Sequence, residues 1–144
     1  MSRQFSLAGL LHLRHVQQDE AAGQLASANA RLDGTSVQRN RARASLGATR
    51  ADATSTESLY AMAAGRASMR SMLADLDSMI FQQQSEADDA DDAFKLARAQ
   101  AIALEKLEAK HIEAITVEEL RAEQAVLDEL ASTAWHVDHE GTTP

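Results

Sequence analysis

The sequence predicts an all-α fold: a long antiparallel two-helix coiled coil, or helical hairpin, with a small-residue tip region. Three observations point there. Helix breakers are nearly absent, since the single proline is the last residue, Pro144, and only six glycines occur. Apolar residues recur over long stretches in alternating steps of three and four, the period of supercoiled helices. Charge is divided along the chain: residues 1–72 hold nine Lys/Arg against five Asp/Glu (net +4), and residues 73–144 hold five against seventeen (net −12). Two halves of opposite sign are what an antiparallel pair uses to choose its partner.

Composition narrows the class further. Alanine supplies 29 of the 144 residues, whereas Phe, Trp and Tyr together supply five. Alanine buries little area, so the chain is poor in the side chains that fill a rounded core and suits thinly packed helices. The length fits one domain, residues 1–144. Without cysteine there is no disulfide framework or thiolate metal site. The net charge of −8 argues against nucleic acid and anionic membrane surfaces as partners. No run approaches the roughly 18 apolar residues of a membrane helix.

The first helix is expected over residues 5–53. It opens on FSLAGLLHLR, where no signal peptide is expected: His12, Arg14 and His15 interrupt it, and the polar run Gln17 to Glu20 replaces a cleavage site. From Leu7 and Leu11 a heptad seam leads to Leu25, Leu32 and Leu46, its second position held mostly by alanine and threonine. Asp33-Gly34-Thr35-Ser36 has turn composition and Gly47 weakens the helix again, but the register passes through both.

Residues 54–72 read as the tip. Thr54 to Ser58 carry capping residues, and Gly65 lies in the small-residue stretch AMAAGRAS, where the reversal is expected, with a short helix of its own. The second helix is expected over 73–135, stepping from Leu73 through Leu76, Ile80, Gln83, Ala87 and Phe94 to Leu104. Near Ile115 the register slips to Leu120, Leu127 and Leu130. A stutter within one helix and a capped restart at Thr116-x-x-Glu119 are the two readings. Residues 136–144 are expected to fray. Folding about Gly65 sets Arg39, Arg41, Arg43 and Arg50 beside the acidic block Glu86 to Asp92. Helices of this length reach on the order of 70 Å, so a rod is expected.

Little in the chain points to chemistry. Asp88, Asp89, Asp91 and Asp92 lack the glycine bend and alternating ligands of a calcium loop. His12 with His15, and His136 with His139, are spaced for a four-histidine zinc site. Folding about Gly65, however, leaves the second pair roughly 27 Å along the helix from the first. Glu108-x-x-His111 is a single instance of a motif that di-iron bundles use twice. No phosphate loop or nucleophile elbow occurs. The expectation is a non-enzyme without metal or cofactor.

The two ends carry a resemblance. FSLAGLLHLRHVQQDEAAGQLASAN, and RAEQAVLDELAS at Arg121 to Ser132, resemble the FliJ family of bacterial flagellar export proteins. That family typically starts with an aromatic, a leucine, a double leucine and an arginine. Toward its end it carries Arg-x-(Glu/Asp)-Gln-x-x-(Leu/Met)-Asp-Glu. The resemblance implies a stalk and adaptor of the flagellar type III export apparatus, in the cytoplasm and at the membrane only through the export gate. Its partners would be the hexameric export ATPase, the cytoplasmic domain of the gate and export chaperones. For the ring it implies Phe5, Leu7, Leu10, Leu11, Arg14, Leu127 and Leu130. For the gate it implies Arg39, Arg43, Leu46 and Arg50 with Met72, Leu76, Met79 and Gln83, although relatives often show aromatics where this chain has arginine and methionine. Most of these residues also suit the hairpin seam. The competing functional reading is a generic coiled-coil scaffold or chaperone of another secretion system or a phage.

Overall fold

The structure, a computed structural model, describes residues 4–49 and 52–140. It is the expected hairpin of two long helices packed against each other, α1 at Ala8–Ala48 and α2 at Thr56–Glu140, and no strand occurs among the described residues. α1 runs unbroken through Gly34, whose position has open space around it and no left-handed backbone. Contacts divide the chain into two compact units, His15–Ala99 and the joined ends, Met1–Arg14 with Gln100–Pro144.

In the His15–Ala99 unit the seam is the one the three-and-four stepping predicts. Every such step of α1 from Gln18 to Leu46, and of α2 from Leu73 to Ala97, is buried or half-buried. The deepest residues are small: Ala28, Thr35 and Ala87. Small residues at the contact let helices approach closely, at the cost of little apolar area per turn. Thr35 satisfies its hydroxyl within its own helix, donating to the Arg31 carbonyl at 3.1 Å.

The reversal differs from expectation. α1 ends at Ala48, where the Thr49 hydroxyl donates to the Ser45 carbonyl at 2.9 Å and closes one of the last open acceptors. α2 starts at Thr56 and takes in Gly65 and the rest of the expected tip. Ser55 explains the early start. Its hydroxyl accepts from the Ser58 N–H at 3.1 Å, while Ser58 Oγ accepts from the Ser55 N–H at 3.0 Å, the reciprocal geometry of a capping box. The alanines around Gly65 then outweigh one weak breaker. Arg66 donates to the Thr49 carbonyl at 3.4 Å, so the end of α1 is level with Arg66 and the first turns of α2 lie past it.

Moving the reversal shifts every cross-helix partner. Arg39 and Arg43 meet Asp77, at 3.6 and 3.9 Å, and Arg31 meets Glu86 at 3.8 Å. The arginine block therefore does not face the acidic block Glu86 to Asp92, contrary to the sequence expectation. Asp91 instead pairs along its own helix with Lys95 at 2.6 Å, and this carboxylate holds the Lys95 ammonium pKa above its ordinary 10.5.

In the unit formed by the ends, Leu11, Ala101 and Leu104 are the buried apolar residues. Arg14 donates to Gln100 at 2.8 Å, and the Phe5 and His111 rings lie 5.6 Å apart, which fixes the antiparallel register. Burial continues along α2 to Ile115 and then stops: residues 116–138 are exposed throughout. α2 passes Thr116 without interruption, the Thr116 hydroxyl donating to the Ile112 carbonyl at 3.0 Å. The helix continues to Glu140, so part of the tail expected to fray is helical. No proline or glycine stands between Gly65 and Gly141 to end it.

Candidate partner-binding surfaces

The residues expected at the gate separate into two groups. Arg39, Leu46, Leu76 and Gln83 are half-buried seam positions. Arg43, Met72 and Met79 are exposed beside the seam, and Arg50 lies outside the described residues. The residues that the resemblance implies for the gate are thus shared between the hairpin contact and the surface. Met79 borders a shallow cleft with Arg31, Gln82, Gln83 and Glu86. Two seam atoms, Arg39 Nε and Gln83 Oε1, are buried without a hydrogen-bond partner.

The residues expected at the ring are also divided. Leu11 is buried and Arg14 is engaged with Gln100, so both serve the hairpin. Phe5 is half-buried against His111, while Leu7 and Leu10 are exposed. Leu127 and Leu130 are 59% and 62% exposed, with Val126 and Trp135 beside them in sequence and equally open. Phe5 being level with His111, these leucines lie about 24 to 28 Å further along α2. The N-terminal and C-terminal leucines therefore do not form one patch.

The whole chain can be placed as well as its parts. The family model described as Flagellar FliJ protein matches residues 3–140. The chain belongs to the FliJ family. Membership puts it among the components of flagellar protein export. Comparison with curated proteins and with solved structures returned no match. The FliJ match spans both helices, so the family relationship covers the seam as well as the exposed ends.

Other apolar residues on the surface fall outside the sequence expectations. Phe81 is 80% exposed, and Leu59 and Tyr60 stand exposed on the turns of α2 that pass the end of α1. Phe81 follows Ile80 directly, off the heptad, and sorting apolar residues by heptad position would have singled it out. Among the described residues no group of three metal-ligating side chains occurs, and no helix is long and apolar enough to cross a membrane. His12 lies two residues from Arg14, which meets Gln100, so the register sets it still further from His136 than folding about Gly65 implied.

Proposed function

We propose that this protein is a non-catalytic stalk and adaptor of the flagellar export apparatus. The end formed by Met1–Arg14 with Gln100–Pro144 enters the central opening of the export ATPase ring. Arg43, Met72 and Met79 belong to the surface that meets the cytoplasmic domain of the export gate, and export chaperones are further partners. The protein works in the cytoplasm at the flagellar base and reaches the membrane only through the gate.

The observation that carries this reading is the surplus of leucine at the ends. The hairpin closes its seam with Leu11, Ala101 and Leu104, yet Leu7, Leu10, Leu120, Leu127 and Leu130 stay open to solvent. The leucines of α2 lie apart from Leu7 and Leu10, and exposed apolar surface beyond what a hairpin uses marks a site of protein association. Mixing purified protein with the flagellar export ATPase of the same organism tests the reading. ATP hydrolysis should rise and hexamers should accumulate; no change in either overturns it.

A further inference from the structure

The seam that α2 buries as far as Ile115 would continue, in the same steps, through Glu118, Ala122, Ala125, Glu129 and Ser132. That side is polar or small. Of the large apolar residues past this point, all exposed, Leu120, Leu127, Leu130 and Val137 follow a different line. α2 has therefore turned its apolar side away from the direction in which α1 lies. A longer α1 in the same register would not cover it, and the stripe suits something other than the hairpin.

Charge describes that occupant. Residues 113–138 contain seven Asp/Glu, one arginine and no lysine, so the leucines run among acidic side chains such as Glu123 and Asp128. We propose that the stripe from Leu120 to Val137 seats an apolar groove or helix of another protein whose edges carry Lys and Arg. This rests on the reading that the ends enter a partner. It adds the chemistry of the receiving surface and assigns the docking to this length of α2, without the leucines of α1. A second copy of the chain fits poorly, because two stripes face to face bring like charges together at both edges.

The test uses the full-length protein and two synthetic amphipathic helices, one of leucine and lysine, the other of leucine and glutamate. The lysine peptide binds and perturbs the NMR signals of residues 120–137, and the glutamate peptide does not bind. Leu127→Gln with Leu130→Gln, both at exposed positions, weakens the lysine peptide roughly tenfold or more. Raising the ionic strength from about 0.1 M to about 1 M, where screening shortens from roughly 10 Å to roughly 3 Å, weakens it as well. Asp88→Asn with Asp89→Asn, in the other acidic cluster, leaves it unchanged. Equal binding of the two peptides overturns the proposal, and so does loss of binding in the Asp88/Asp89 variant but not in the Leu127/Leu130 variant. Self-association abolished by Leu127→Gln, seen by sedimentation, would assign the stripe to a second copy and overturn it too. Peptide discrimination with no response from the export ATPase leaves this inference standing and removes the stalk reading; stimulation without discrimination does the reverse.

Discussion

Gln83 places a buried carbonyl oxygen in the seam with no donor to meet it, and an unmade buried hydrogen bond costs about 1–3 kcal/mol. Gln83→Leu removes that cost and adds a seam leucine, so the hairpin should gain on the order of 1 kcal/mol in urea unfolding. The same variant separates two roles: if Gln83 serves only the seam, stability rises while binding to the gate domain is unchanged. Gly34 is another residue at which the chain gives up stability, as are the other helical glycines with open space around them. It lies inside α1 with ordinary helical backbone and nothing within 4 Å of an added Cβ. Gly34→Ala should therefore stabilise by about 0.5–1 kcal/mol, seen as a higher Tm. A lowered Tm would mean that α1 bends there.

At the scale of elements, α2 has three successive parts: a capped start, a close-packed seam and an exposed end. Ser55→Ala should cost about 0.5–2 kcal/mol and melt the first turns of α2 before the seam, detected as early loss of amide protection from residue 56 onward. The seam relies on small residues, and Ala101 is fully buried. Ala101→Leu forces the helices apart and should cost about 1–3 kcal/mol, whereas Ala122→Leu, exposed on the same helix, should change stability by less than about 0.5 kcal/mol. Equal effects at the two positions would contradict the seam described above. The seam was legible in the sequence because heptad stepping is a local property that each helix displays alone. The reversal was not, because Gly65 looked like a breaker while the decisive Ser55–Ser58 cap is a pair of hydrogen bonds. An error in the turn moves each cross-helix partner by twice its size. For that reason Arg39 was expected beside the acidic block and stands beside Asp77.

For the whole molecule, the division between residues that close the hairpin and residues left for partners follows from where the turn falls. The leucines at both ends were visible in the sequence. That Leu11 is spent on the hairpin while Leu127 and Leu130 stay open depends on how far α1 reaches along α2, a consequence of the register. The register also sets a gradient of local stability along α2. Up to Ile115 its amides are held by cross-helix packing as well as by helical hydrogen bonds; residues 116–138 are exposed and lack that packing. A helix without tertiary packing opens locally, whereas a packed one opens only with the unit it belongs to. Native-state hydrogen exchange should therefore show strong protection at Ala101 to Leu104 and fast exchange across residues 118–138. Adding the export ATPase should slow exchange in 118–138 and leave the seam nearly unchanged, since that length has the most order to gain from being enclosed. Uniform protection along α2 in the free protein would show that residues past Ile115 already have a partner, and the docking stripe would then be part of the resting fold.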